Sequence, residues 1–542
     1  MIHSRISRAK KRRPERRKRF GALVMFVAIF AVFACTESVS GQGQSGKLLF
    51  RLEDEATGEP VISRVLFYRG AEERAIRATP SRSGGQRNRE RLMPIRRTVP
   101  AGIGIVIDRA IELELPESDY RFRVIRGPEY RIVSGNFTLE KTSEDEKTVP
   151  LPRMVDMKSE GWLSGDACVV PSSYSVPLRM AAEDLHVTAV LGDRAAKPIP
   201  GREAKEPIGF DPKWIRTDVS TYQGLAFYGL GETDAGRLNA SHHSLERLVH
   251  LGNSLPDAEE IRIAIEDPFA WELPVWLASG RVHGMFLLGD WLRLDRQVLK
   301  TNNGRDEDSF SLREPTQLGR YAERIYRQAL DAGLPIVPLA GGGDQSAGTP
   351  LGYNRIYAAQ PDRESFSSAE AWWIAVWKGQ TVVTNGPMLR PLVSGFLPGH
   401  TFTASRGETL RLSPELDLAV RDPVEYLEVI HNNQIHYSAR LQEFAKAGGV
   451  IPPIEARESG WVIIRVMTLH EDHYRAAVSA PWWIEFDGRK RVSKASVDFF
   501  RGWLTEYEER LKRLPSNELQ RFVPFIVSAR SFWSQRSDVA VE

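Results

Sequence analysis

Between residues 47 and 153 apolar and polar positions alternate in short runs, "KLLFRLED", "VISRVLFY", "GIGIVID", "AIELELP", "YRFRVIRG" and "RIVSGNFTLE", each bounded by Gly, Pro or acidic turns. Alternation with a period of two marks strands that bury one face, and short strands at regular spacing predict a β-sandwich. From about 154 to 390 the pattern changes: apolar strand-like runs alternate with helical segments such as "LGRYAERIYRQALDAG". There Leu318, Tyr321 and Ile325 share one face and Gly333 is placed to end the helix. Strand and helix in alternation predict a parallel sheet or barrel. Strands return from 391 to 490 in "PLVSGFL", "LRLSPELDLAV", "YLEVIHNNQIHYSA", "WVIIRVMTL" and "PWWIEFDG", with Asn432-Asn433 suited to a tight hairpin turn. The tail over 491–537 carries Val497, Phe500, Leu504, Tyr507, Leu511 and Leu514 at spacings of three and four, then Pro515, then a second helix started or kinked at Pro524. This is a helical hairpin, expected to pack back on its own chain because its heptad pattern is too short for a dimer seam.

The start of the chain follows a different logic. A dense basic run from Arg5 to Arg19 precedes an unbroken apolar run from Phe20 to Ala34, which falls short of the ~20 residues a bilayer-spanning helix needs. A cleaved signal peptide over 1–34, a polar linker over 35–46 and export to the periplasm or outside the cell are expected. "VFAC" at 32–35 offers lipid anchoring at Cys35 as the alternative. Beyond the leader region Cys168 is the other of only two cysteines, so no disulfide is expected to help hold the mature chain.

A chain of 542 residues exceeds one core, and about three folded units are expected. Its net charge of +3 demands no polyanionic partner, so no nucleic acid is expected, and membrane contact only through the leader or Cys35. The basic segment "TPSRSGGQRNRERLMPIRR" reads as a solvated loop, with attachment to an anionic surface as the alternative.

Five apolar runs end on a carboxylate: "HVTAVLGD" at Asp193, "LAFYGLGE" at Glu232, "IRIAIED" at Asp267, "VHGMFLLGD" at Asp290 and "LPIVPLAGGGD" at Asp344. In a (β/α) barrel the carboxyl ends of the strands share one face, so these acids would converge there; alternatively each caps the helix that follows. With Asp166 and Cys168 of "GWLSGDACVV" they form the candidate site. Other chemistry is weakly represented. There is no HExxH or HxH pair, and His242-His243 and "HEDH" at 470–473 are the tightest histidine clusters. "GGGDQSAGT" lacks the lysine of a phosphate loop, and Ser346 lacks the first glycine of a nucleophile elbow. In "SSAEAWWIAVW" Ser367 and Glu370 suggest a capping box, and Trp373, Val376 and Trp377 share a face that reads as core or as a sugar-stacking platform.

The order of "LPESDYRFRVIRGPEYRIVSGNFTLE", "GWLSGDACVV", "AEDLHVTAVLG", "LPVWLASGRVHG", "LGYNRIYA", "VVTNGPMLRPLVSGFLPGHTF" and "RKRVSKASVDFFRGWL" resembles the exported carbaryl-hydrolase-like (CehA/McbA) branch of the PHP metallohydrolases over about 115 to 535. The resemblance implies a β-sandwich, a distorted (β/α)7 PHP-like barrel over 154–390 with metal at its carboxyl face, and a C-terminal β-rich domain before the helical tail. It also implies Gly-Asp-x-His-x-His at the site. Asp166 matches the aspartate, while Cys168 and Val170 stand at the histidine positions. Asp193 and Asp267 stand where two further histidines would be, and Ser346 replaces the histidine after the aspartate that Asp344 matches.

Carboxylates without imidazoles suit magnesium, manganese or calcium better than zinc. The expected protein is therefore an exported PHP-like chain with a decayed metal site and a binding or structural role toward a small molecule or glycan. It would hold no cofactor, or a weakly held divalent cation. One alternative is a hydrolase of an ester or phosphoester whose cation sits on Asp166, Asp193, Asp267 and Asp344; another is a glycan-binding module. Cys168 reads as a small buried residue, with a relict thiolate ligand or a nucleophile as the other readings.

Overall fold

The computed structural model describes residues 45–72, 98–100, 104–170, 176–191, 212–230, 243–248, 261–292, 304–305, 315–344, 349–361, 365–469 and 474–542. The leader with Cys35, nearly all of the linker, the basic segment 79–97, Asp193, Glu232, His242, Ser346 and the cluster at 470–473 lie outside the described residues. The fold is mixed α/β, with several sheets, a large mixed one among them, and helices at the C-terminal end.

Ser45–Asp54 lies between Ala110–Pro116, antiparallel to it, and Glu144–Leu151, parallel to it. A second sheet runs in the order Thr98–Pro100, Ile105–Asp108, Ile62–Arg69, Ser118–Ile125 and Val133–Leu139. The period-two pattern turns Leu48, Phe50 and Leu52 inward. Phe50 meets Phe67 and Phe122 of the other sheet edge-on at 5.3 and 5.0 Å, so the two sheets share one core. Two ion pairs bind this unit to the next: Arg64 to Glu183 at 2.6 Å, buried, and Arg126 to Asp184 at 2.8 Å, half-buried.

The strands from 162 to 344 form a ring. Trp162–Val170 pairs in parallel with Val187–Leu191, which pairs in parallel with Ile215–Tyr222. Leu225–Tyr228 runs antiparallel to both its neighbours, Ile215–Tyr222 and Arg262–Ile265. Gln223 and Gly224, at φ 47° and 84°, reverse the chain in two residues, so the expectation of uniformly parallel strands fails here. Arg262–Ile265, Gly284–Leu288 and Val337–Ala340 then pair in parallel. Just beyond, Gly343–Asp344 pairs with Trp162–Val170, Gly343 opposite Val169 and Asp344 opposite Val170, and the strand order returns to its start. Most of these strands are buried along their whole length, as parallel strands covered on both faces are.

The first half of Trp162–Val170 also pairs antiparallel with Arg355–Ala359. The sheet continues from there through Thr381–Thr384, Ala476–Ser479, Gly460–Thr468 and Val424–His431 to Gln434–Ala439, so strands from before and after residue 390 share one sheet. Asn432 and Asn433, at φ 49° and 65°, make its last hairpin turn as the sequence predicts. The helix Pro315–Asp331 buries Leu318, Tyr321 and Ile325. Helices Lys494–Leu511 and Ser516–Asp538 close the chain. Trp533 of the second stacks on Phe500 of the first at 4.9 Å and donates its indole N–H to the Pro274 carbonyl at 2.9 Å.

Candidate functional site

Asp166 sits mid-strand in Trp162–Val170 with no solvent exposure. Its Oδ1 accepts from the backbone N–H of Cys168 at 3.0 Å and of Gly342 at 3.1 Å; its Oδ2 accepts from Gly342 at 3.1 Å and from Gly352 at 2.9 Å. Burial pushes its pKa up to about 7, against the downward pull of those three N–H groups and of Arg355. The glycines are required by this arrangement. A Cβ on Gly342 would lie 3.0 Å from Oδ2, and one on Gly341 would lie 2.8 Å from the Cys168 nitrogen and 3.0 Å from Oδ1.

Cys168, two residues on and 2% exposed, directs its Sγ toward Glu266 Oε1 at 3.9 Å. Tyr228 of the reversed strand donates to the Ala167 carbonyl at 2.8 Å and senses the charges of Cys168, Glu266 and Asp166; burial, first, and those charges hold its hydroxyl well above the usual tyrosine pKa. Glu266 and Tyr228 are the residues that sequence reasoning missed. Glu266 precedes Asp267, the position matched to a family histidine. The turn "TYQGLA" was the available sign that Tyr228 belongs to a reversed strand.

Asp267, just past Arg262–Ile265, makes a local turn instead: its Oδ1 accepts from the Phe269 N–H at 3.0 Å. Burial and the nearby charges of Asp290 and Glu272 raise its pKa to about 6. Two of the predicted acids, Asp267 and Asp290, are therefore neighbours at the end of adjacent parallel strands. Neither is among the groups that perturb Asp166. Asp344 pairs by its backbone opposite Val170. Glu232 lies outside the described residues.

Among the described residues no group of three His, Cys, Asp or Glu side chains is placed to hold a metal ion. His243, of the predicted pair, packs edge-on against Phe522 at 4.8 Å and lies 3.4 Å from Glu272. Of the stripe, Trp373 and Val376 are buried in the core and Trp377 is half-buried; Trp373 packs on Tyr228 at 5.3 Å, and its neighbour Trp372 fills the space beside Gly165. The helix cap is Ser368, whose hydroxyl accepts from the Ala371 N–H, one residue after the Ser367 expected from its spacing to Glu370.

No family matches the sequence and no curated protein matches it. Among solved structures the Bacillus anthracis TIE protein is similar over 23% of this chain and 19% of its own, at 12% identity and a TM-score of 0.12, which carries no argument. This chain thus spans about a fifth of that protein's length.

Proposed function

We propose that the chain is an exported PHP-like protein whose metal centre has given way to a hydrogen-bonded core, leaving a binding or structural role toward a small molecule or glycan. In this reading the two N-terminal sheets are a β-sandwich and the strand ring is the PHP-like barrel. The leader's basic and apolar runs support export.

The observation that carries the reading is the occupancy of Asp166. Both carboxylate oxygens already accept backbone N–H bonds, from Cys168, Gly342 and Gly352, in a site without exposure. A divalent ion would have to displace bonds that a buried carboxylate needs. The residues beside it do not make up the loss. Val170 donates nothing, and the Cys168 thiol faces a carboxylate, which disfavours the thiolate a metal requires. The metal that the resemblance implies does not fit this donor set, and no catalytic step is routed through it.

Divalent-metal titration of the wild type beside Cys168→His/Val170→His tests this. Manganese and zinc should leave the melting temperature of the wild type unchanged. A saturable metal-dependent rise in the wild type, lost on Asp344→Ala, would instead establish a carboxylate-ligated metal site and overturn this reading.

A further inference from the structure

At the start of the ring strand Trp162–Val170, a pocket of 900 Å³ opens between Trp162, the end of Arg355–Ala359, the start of Thr381–Thr384 and the two-stranded ribbon of Met388–Val393 with Pro414–Ala419. Its size falls within the roughly 300–1,000 Å³ of small-molecule sites. Its most unusual feature is Phe396. Ser394 and Gly395, at φ 48° and 80°, reverse the chain before it. Its own N–H donates to the Val393 carbonyl at 3.0 Å, and its carbonyl accepts from the Trp482 indole at 2.9 Å, so the residue is pinned by its backbone.

The ring is fixed as well. His400 stacks on it at 3.9 Å and 14°, and Phe402 meets it edge-on at 5.7 Å. Burial lowers the His400 pKa, which favours the neutral ring in that stack. Even so, Phe396 is 47% exposed. A large aromatic ring held still on one face and left open elsewhere is a platform, because no ordering entropy remains to be lost when a ligand covers it.

The polar lining narrows the ligand class. Arg390 is engaged by Glu160 at 2.8 Å, and Lys378, Glu415 and Asp417 also line the pocket, so the charges are mixed and select neither anion nor cation. Gln360 and Gln380, both half-buried, also line the pocket. Each offers a donor and an acceptor side by side, the pattern that adjacent hydroxyls match. Half-buried Leu392 and Leu416 supply apolar surface between them.

We propose that this pocket binds a neutral saccharide, with a pyranose ring laying its C–H face on Phe396 and its hydroxyls on Gln360 and Gln380. The negative face of an aromatic ring attracts the polarised C–H groups of a sugar, and planar amides read its hydroxyl pairs. The proposal stands independently of the metal reading, because no pocket residue belongs to the strand ring's acid positions.

Saturation-transfer NMR on the full mature chain, with maltotriose, cellotriose and triacetylchitotriose as probes, tests it. Transfer to the C–H protons of at least one of them is expected, with affinity falling about ten-fold in Phe396→Ala, the scale of one aromatic contact. Gln380→Ala removes no core packing and should weaken binding of the same sugar with an unchanged melting curve; it decides the matter if Phe396→Ala folds poorly. No transfer to any of the three sugars, equal binding in both variants, or displacement of the sugar by inorganic phosphate would each overturn the proposal.

Discussion

Replacing Asp166 by alanine separates a structural carboxylate from a ligand. The substitution leaves the N–H groups of Cys168, Gly342 and Gly352 buried without their acceptor. Each orphaned donor costs about 1–3 kcal/mol, and three sharing one cavity should cost several kcal/mol together, less than the plain sum. The wild type has an opposing cost. Its folded-state pKa of about 7 lies above the ordinary aspartate value of 3.8, so the folded form binds the proton more tightly than the unfolded one.

Between those two values stability falls as pH rises, and the loss is complete once pH exceeds the folded pKa. At about 1.4 kcal/mol per pH unit, the wild type loses roughly 2–3 kcal/mol between pH 5 and pH 8 through this one group. The alanine variant lacks that dependence. Its penalty should therefore be several kcal/mol at pH 5 and smaller by about 2–3 kcal/mol at pH 8. Urea unfolding midpoints followed by tryptophan fluorescence at both pH values measure this. A penalty that is constant or grows toward pH 8 would refute the reasoning, because it would mean that the ionised carboxylate is the form the fold stabilises.

Other outcomes follow from neighbouring parts of the molecule. Cys168→Ser buries a hydroxyl beside Glu266 and should cost about 1–3 kcal/mol in urea melts, without altering any response to manganese. Glu323 is 0% exposed and takes hydrogen bonds from Arg465 and from Tyr474 at 2.6 Å. Burial alone would raise its pKa, but the charges of Arg465 and Arg327 overcome this and hold it below 4.5. Its stabilisation is therefore complete above pH 4.5 and lost as pH falls through the lower folded value, and Glu323→Gln should cost about 3–5 kcal/mol near neutrality and progressively less in acid melts. Trp533→Ala removes the stack on Phe500 and the bond to Pro274, should cost about 3–5 kcal/mol, and should expose the C-terminal helices to limited proteolysis before the sheets.

What the sequence made legible were the local rules. Alternation turned Leu48, Phe50 and Leu52 inward, helical spacing buried Leu318, Tyr321 and Ile325, and paired asparagines made a hairpin; each depends on residues a few positions apart. The candidate site was only partly legible, because its geometry is non-local. The Gly352 amide that holds Asp166 lies 186 residues away along the chain, and no spacing rule announces it. The expectation of uniformly parallel strands misses the tight turn at Gln223-Gly224, which sets Leu225–Tyr228 antiparallel to its neighbours. Asp267 was located correctly at a strand end, but which acid it meets depends on strand order, and that places it beside Asp290 rather than Asp166.

The most direct test of the central claim is elemental analysis of the mature wild-type protein purified without chelators, by plasma mass spectrometry against protein concentration. A site filled by its own backbone amides predicts zinc, manganese, magnesium and calcium all well below one per chain. One bound divalent ion per chain, lost in both Asp166→Ala and Asp344→Ala while each variant still folds, would contradict it.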